Sequence, residues 1–442
     1  MADRIAAGEC ILRKCTINGI PTTADGQVNF HVSQIKIMED HCKPYFTAQL
    51  TLESYNHSHD FFIFTTAEVL IEFVSPSSDP TFPAEVYSER FRIFSHDSEP
   101  MREGQSQNRI QHKLSLMGQE YYNDRHNVVN QMDSNLTGTA AAQKIHNNYV
   151  EAQNGPIRVS TPSSGMIGST KHPHQSSNLK PFTAINDILS RCVWQQYPSC
   201  APVHFRDKIG HRIGPLQHIM SSGSSKMTFV ETPGAGARWG EFIGTAKGYK
   251  QLIAVKPLSP SGEASSGVRA SDVGNLNKAA SWIDMLSGSY QIGDGKIDSI
   301  MKKMNLSSAI PGVNGKIKAL LAESQKGKNG GQLFNFINSV IQPRSQSKDG
   351  PGNFNTSQEA FVTALTYADK FWITVPGQSG HKITCGDAIN IEYSIMRNKR
   401  AEDRTRRLYV ARLVHTIDFT VTDKRTHQGN KAMTDIYGVA WG

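Results

Sequence analysis

The sequence predicts an α+β fold that is mostly β: two similar small antiparallel β-barrels joined by a helical, mixed segment and an irregular insertion. Period-two alternation of apolar and polar residues near both ends predicts the strands. Apolar residues at helical spacing in the middle predict the link. A likeness between the two strand-rich ends, at a separation of 320 residues (Val69 to Ile389), predicts that the barrels are copies.

The first barrel is assigned to residues 1–118. Asn18-Gly19 has the composition of a tight hairpin turn. Runs beginning at Phe46, Val69, Glu89 and Lys113 alternate as half-buried strands do, and Pro76, Pro80 and Pro83 mark a loop between two of them. Residues 119–233 form the mixed linking domain. Thr137 to Tyr149 reads as a helix, with Thr139 as its cap and Ala142, Ile145 and Tyr149 on one side. Residues 160–178, rich in Ser, Thr, Pro and His, read as an exposed loop. Pro181 opens a second helix with Phe182, Ile185, Ile188, Leu189 and Val193 on one stripe. A short strand, Val203-His-Phe-Arg, and a turn at Gly210 follow.

Residues 234–355 are assigned to an insertion rich in Gly, Ser and Lys, with short helices around Trp282, Ile317 and Leu333. Residues 356–442 form the second barrel, which also has candidate strands at 200–256 to draw on. Its strands start at Phe371 and Ile383, break at the charged stretch from Arg397 to Arg407, and resume at Leu408.

Composition limits the function classes. Of 442 residues, 38% are hydrophobic and 19% charged, which fits a globular protein and not a disordered one. No run approaches the ~18 apolar residues of a membrane span. The first residues lack the apolar core of a signal peptide, which predicts synthesis in a cytoplasm. The six cysteines form no CxxC pair, so reduced structural thiols are expected. A net charge of +8 admits a polyanionic partner without requiring one.

The chemical motifs are few. Gly234-Ala-Gly-Ala-Arg-Trp-Gly has the wrong glycine spacing for a dinucleotide fingerprint, and no Walker-type loop occurs. Cys192, Cys200, His204, His211 and His218 are candidate zinc ligands without a paired half-site. Glu53, Glu68, Glu72 and Glu85 are candidate acids on strands, where carboxylates also face water. No set has nucleophile–base or ligand spacing, so no enzymatic activity, no cofactor and no stoichiometric metal are expected. Arg397, Lys399, Arg400, Arg404, Arg406 and Arg407 form the one basic cluster, a candidate contact for DNA or a partner beside the alternative of a solvated hairpin.

The repeat is more informative. A shift of 320 residues lays Val69, Ile71, Glu72 and Phe73 on Ile389, Ile391, Glu392 and Tyr393, and Arg92-Ile93-Phe94 on Arg412-Leu413-Val414. It requires that Ile71 and Ile391 hold matching places, that Arg92 and Arg412 do so too, and that the two segments lie in separate sheets.

With these features in this order, the chain resembles the baseplate hub proteins of contractile-tailed bacteriophages, the late control family of Mu- and P2-like phages. The resemblance is carried by Phe371–Val375 with Pro376-Gly377, by Ile383-Thr-Cys-Gly-Asp-Ala-Ile, and by the run from Leu408 to Phe419, with Gly386-Asp387 and His415 at the family's marked places. Pro181-Phe182 with Ile185 and Ile188, and the stretch from Tyr122 to Tyr149, resemble the family's linking segment. Residues 258–350 match nothing in it. The resemblance implies a structural homotrimer whose paired barrels make a six-part ring in the virion, assembled in the host cytoplasm. Such a ring joins the tail spike protein to the tail tube protein, contacts other baseplate proteins, and leaves a channel for DNA. Two other readings remain. A secretion-system spike base is expected to continue into a repeated needle, and the sequence in hand reaches Gly442 without one. A tail-associated lytic enzyme or a nucleic-acid-binding barrel would show glycan release or salt-sensitive DNA binding.

Overall fold

A computed structural model describes residues 9–22, 30–54, 63, 65–75, 85–100, 110–150, 157–159, 166–167, 172–190, 193–194, 202–222, 225–231, 242–245, 248–258, 280–284, 290–293, 341–344, 370–397, 400–419 and 430–440. The first strands are β1 (Glu9–Ile17), β2 (Ile20–Pro21), β3 (Phe30–Asp40), β4 (Thr47–Ser54), β5 (Glu68–Ser75), β6 (Glu85–Pro100) and β7 (Ile110–Gly118). Positive φ at Asn18 and Gly19 makes the β1–β2 turn, as Asn-Gly predicts.

The linking region contains α1 (Gln119–His126), β8 (Val129–Leu136), α2 (Gly138–Ile145) and a π-turn (His146–Val150). It continues with β9 (Ile157–Val159), β10 (Met166–Ile167), β11 (His172–Leu179), α3 (Pro181–Ser190), β12 (Val193–Trp194), β13 (Pro202–Asp207), β14 (Gly210–Pro215) and α4 (Leu216–Ser222). Ala141, Ala142 and Ile145 of α2 pack on Ala184, Ile185, Ile188 and Leu189 of α3. The cap of α2 is Thr137, whose hydroxyl accepts from the Ala140 N–H, and not Thr139. The stretch at 172–179, read as loop, is a polar strand paired with β8, because a two-stranded sheet facing water needs no apolar alternation.

Next come β15 (Ser225–Glu231), β16 (Phe242–Thr245), β17 (Gly248–Leu258), β18 (Ala280–Asp284), β19 (Tyr290–Gly293) and β20 (Ile341–Arg344). The patch at Trp282 and Ile283 is therefore strand, paired with β19 and β20, and not helix. The other two helical patches lie outside the described residues. The last strands are β21 (Lys370–Pro376), β22 (Ala388–Arg397), β23 (Arg400–Asp418) and β24 (Asn430–Ala440).

The strands close into two rings. The first runs β3-β4-β7-β6-β5-β1-β24-β23 and back to β3. The second runs β17-β21-β24-β23-β22-β15 and back to β17. In the second, β15 pairs parallel to both neighbours, so this barrel is mixed where the alternation predicted antiparallel. Both rings use β23 and β24. The separate sheets that the repeat called for are not found, because this ribbon is long enough to serve as wall for both. Its inward face feeds two cores in turn: Ile417 and Ala432 join Ile35, Leu50, Ile71 and Phe91, while Leu408, Leu413 and Ile436 join Phe229, Ile373 and Ile391.

The duplication holds in strand order. The sequence β3-β4-β7-β6-β5 in the first ring matches β17-β21-β24-β23-β22 in the second. Glu68 pairs with Arg92 as Ala388 pairs with Tyr409, and Phe91 with Gly118 as Leu408 with Ala440. The middle strand carries a bulge in both copies, between Ile93 and Ser95 and between Val410 and Arg412. Ile71 and Ile391 therefore hold matching places. Arg92 and Arg412 do not: by ladder register Arg92 corresponds to Tyr409, and Arg412 to Ser95. The bulge resets the inward phase of β23 after Val410, so a triplet three residues late still shows its apolar residue to the core.

Candidate functional site at the junction of the two barrels

The two copies share a local device where the middle strand bulges. Thr66 donates its N–H to the Ile93 carbonyl (2.8 Å) and Ile93 donates to Ala67 (3.0 Å). In the second barrel Gly386 donates to Val410 and Val410 to Asp387, both at 2.9 Å. Both first residues have positive φ, +76° at Thr66 and +88° at Gly386. At Gly386 a side chain is also sterically excluded, since a Cβ would meet Phe205 at 2.9 Å and Arg212 at 3.0 Å. Thr66, β-branched, holds a conformation that such residues rarely adopt. Gly386-Asp387, a pair that carries the resemblance, thus has a geometric reason.

Past the bulge the copies diverge. β23 pairs β22 as far as Tyr409, then passes to β3 from Arg412 onward, while His41 donates to the Ala411 carbonyl at the handover (3.0 Å). In the first barrel, β6 beyond Ile93 pairs β7. Among the described residues, no strand pairs with the other edge of Ser95–Pro100. The counterpart of β3 in the second barrel is β17, which pairs β21 from Ala254 to Leu258 and β15 only from Lys250 to Ile253. Its edge at Ala254–Leu258 is open in the same sense. Among the described residues, the halves of the joint that links the barrels thus recur as edges without a strand partner, one on each barrel.

A buried polar knot separates the two apolar cores. His415 and Thr434 face each other across β23 and β24, both fully buried. The Thr434 hydroxyl lies 2.9 Å from His415 Nδ1, and His415 Nε2 lies 3.3 Å from Glu39 Oε1. Glu39 Oε2 accepts from the Thr384 hydroxyl (2.6 Å) and the Cys385 N–H (3.2 Å). Lys208 donates its ammonium to the carbonyls of His381 and Ile383, and Ser75 Oγ is 2.7 Å from His381 Nδ1. These side chains stand in for the ladder that residues 381–387 lack, as buried backbone groups require. Burial alone would raise the Glu39 carboxyl, but the His415 hydrogen bond and the Lys208 charge hold it below its ordinary value. Burial drives His415 and His381 down, so both are neutral at pH 7. His415 then donates to ionised Glu39 and accepts from Thr434.

The basic cluster is not a break between strands. Arg397 pairs with Arg400, and residues 400–407 are the first half of β23. Lys399 lies outside the described residues, as do the side chains of Arg397 and Arg400. Arg404, Arg406 and Arg407 are half-buried near one end of the second barrel, with Arg407 Nη2 reaching the Ser221 carbonyl (3.4 Å). Arg404 and Arg406 share the inward phase of Leu408 and Val410.

Of the candidate zinc ligands, Cys192 and Cys200 lie outside the described residues, and His218 sits half-buried on α4. His204 and His211 come together on the β13–β14 hairpin, joined by His146 of the π-turn and Glu120 of α1. Sequence spacing missed these last two because they lie on separate elements. Arg206, on the same hairpin face, bridges Glu89 (2.8 Å) and Glu120 (3.0 Å), and its guanidinium stacks 4.3 Å above Phe46. Burial pushes Glu89 up to about 7, while Glu120, also pushed up by burial, is held low by Arg206. Of the candidate acids, Glu68 is spent on Arg90 and Arg92, each at 3.4 Å, and the side chain of Glu85 is outside the described set.

No family model matches the chain, and no curated protein matches it in sequence. Its structural neighbours are phage tail proteins and type VI secretion proteins. The tail protein from Neisseria meningitidis MC58 is 7% identical with a TM-score of 0.47, over 98% of this chain and 96% of that one. The 43 kDa tail protein of prophage MuSo2 from Shewanella oneidensis is 8% identical with a TM-score of 0.46, over 98% and 97%. The E. coli c3393 protein, a component of the type VI secretion system, is 7% identical with a TM-score of 0.42, over 97% and 77%.

Proposed function

We propose that this chain is a structural hub of a contractile tail, a homotrimer that adapts a threefold spike to a sixfold tube around a DNA channel. The observation that carries the reading is the pair of open edges. Within the chain, β23 past its bulge pairs with β3; the equivalent segments, Ser95–Pro100 of β6 and Ala254–Leu258 of β17, have complementary directions and, beyond β7 and β21, no described partner on the other edge. A joint between chains that copies the joint within the chain is heterologous, and a heterologous contact that closes makes a ring. Three chains then present six barrels in near-equivalent places. The copied register sets Glu99 opposite Lys256, as Thr416 is set opposite Lys36. Pro257 offers no N–H, so this ladder is a short one.

The role needs rigid surfaces and no reaction centre, and the chain is read as non-enzymatic. Spike, tube and other baseplate proteins are the partners, and the virion tail is the place of action. Among the described residues no helix is long and apolar enough to cross a membrane. The second-barrel arginines are assigned to the channel or to a neighbouring tail protein. Replacing Arg400, Arg404, Arg406 and Arg407 by Ser is expected to impair assembly or DNA passage and to leave folding intact. Normal infectious particles would make the cluster a plain solvated face.

The joint is tested by placing cysteines at Glu99 and Lys256 in a Cys42→Ser background. Oxidation is expected to give covalent dimers and trimers and nothing larger. An open ladder of higher species, or no cross-link in an oligomer, would overturn the proposed joint.

A further inference from the structure

The histidine cluster of the linking domain plays no part in the hub reading, and it is built like a ligand site. The register of β13 and β14 sets His204 opposite Ile213 and Arg206 opposite His211, so both histidines and Arg206 share one face of the hairpin. Glu120 and His146 meet that face from α1 and the π-turn. His146 and His211 are each 1% exposed, and His204 6%. Their ring centroids stand 4.3, 5.5 and 6.3 Å apart. Both nitrogens of His204 and Nδ1 of His211 lack a hydrogen-bond partner, and both of His146 lack one of good geometry, with the Asn147 side chain nearby. Native interiors rarely leave even one such atom unpartnered, and each costs about 1–3 kcal/mol. Five in one cluster point to a missing ligand.

The chemistry of the cluster selects the ligand. Imidazoles with free nitrogens are donors to borderline metal ions. Three rings on one tetrahedral ion, each nitrogen about 2.1 Å from it, have centroids on the order of 5 Å apart, close to the separations found. Arg206 bridges two carboxylates, Glu89 and Glu120, beside the rings. Glu120 Oε1 lies 3.8 Å from His211 Nε2, within reach to ligate the ion or to orient the His211 ring.

We propose that His146, His204 and His211 bind one divalent transition-metal ion of the zinc class, with Glu120 as its carboxylate partner. The rings turn about their side-chain bonds to converge on it. The ion pins the β13–β14 hairpin to α1 and the π-turn, and so fixes the linking domain against the first barrel. A different group, Asp40, His41 and Cys42, has ligand atoms within 4.8 Å of one another. It is part-exposed, its Asp40 accepts the Cys42 N–H, and His41 contacts the Tyr409 hydroxyl, so it serves as the control. The inference departs from the expectation of no stoichiometric metal and is independent of the hub role.

The test uses the full chain, stripped with chelator and then dialysed against limiting Zn2+ or Co2+. Elemental analysis is expected to find one zinc per chain, with a rise in the melting temperature on loading. Cobalt is expected to give visible absorption of a nitrogen–oxygen site without a thiolate charge-transfer band. His146→Ala and, separately, His211→Gln are expected to lose the metal while Asp40→Asn with Cys42→Ser keeps it. A folded wild-type chain that holds less than about a tenth of a zinc and melts unchanged on loading would overturn the proposal. So would metal that survives loss of His146 and His211 but not of Asp40.

Discussion

The two barrels share five strands in one order and differ in how they close. The first closes with β1 and with the ribbon β23–β24, reached through a seam of two residue pairs at Glu9 and Cys10. The second closes on itself through the parallel strand β15. The difference teaches where duplicated strands become useful. In the second copy the middle strand runs on past its bulge and binds the other barrel; in the first copy the same extension has, among the described residues, no strand on its other edge.

The largest expected effect tests the knot that this joint requires. Glu39→Ala removes the acceptor for Thr384, Cys385 and His415 at once, and is expected to cost about 3–5 kcal/mol of stability in urea unfolding. A loss under about 1 kcal/mol would mean that the knot does not hold the barrels together.

The paired positive-φ residues give an experiment of opposite signs. Gly386→Ala is expected to destabilise by about 1–3 kcal/mol, from φ strain and the approach of Phe205. Thr66→Gly at the equivalent place is expected to be neutral or stabilising by up to about 1 kcal/mol, because the strain of the threonine is removed. Equal signs would break the equivalence of the two sites.

Acid should act on the junction before it acts on the barrels. His381 and His415 have folded values below the ordinary imidazole value of about 6.5. Their stabilisation is therefore complete above about pH 6.5 and is lost as pH falls below it, by at most about 1.4 kcal/mol per pH unit for each ring. Glu39, also depressed, adds its own loss below its ordinary value, at lower pH still. Unfolding followed by denaturant from pH 8 to pH 4 checks this, and His415→Gln should flatten the first phase. The smallest effect belongs to Lys113→Ala, which breaks an exposed pair with Glu99 beside the open edge (3.0 Å) and should change stability by less than about 0.5 kcal/mol.

Much of the fold is legible in the alternation of β4 to β7 and of β21 to β23, and in the stripe of α3. β24 was not read, because its inward positions are Ala432, Thr434, Ile436, Gly438 and Ala440, too small and polar to signal a core strand. Polar β11 escaped for a similar reason. The repeat was visible at the right strands, but the shift of 320 placed β23 three residues off, since an alternating pattern cannot register a bulge. His415 and the Gly386-Asp387 pair stand out through the resemblance. Glu39, Lys208 and His381, which complete the same knot, carry no pattern that links them. The histidine cluster draws on positions 120, 146, 204 and 211, and no ligand spacing connects residues brought together by three separate elements.

The central claim is that the open edges of β6 and β17 are two halves of one joint, closed between chains as it is closed within them. A native mass spectrum of the full chain at micromolar concentration tests it most directly. The account predicts a discrete species of three 48.8 kDa chains that falls to monomer when Ser98 is changed to Pro in the open edge of β6. A wild-type chain that stays at 48.8 kDa, or one whose trimer is untouched by changes at either edge, would contradict it.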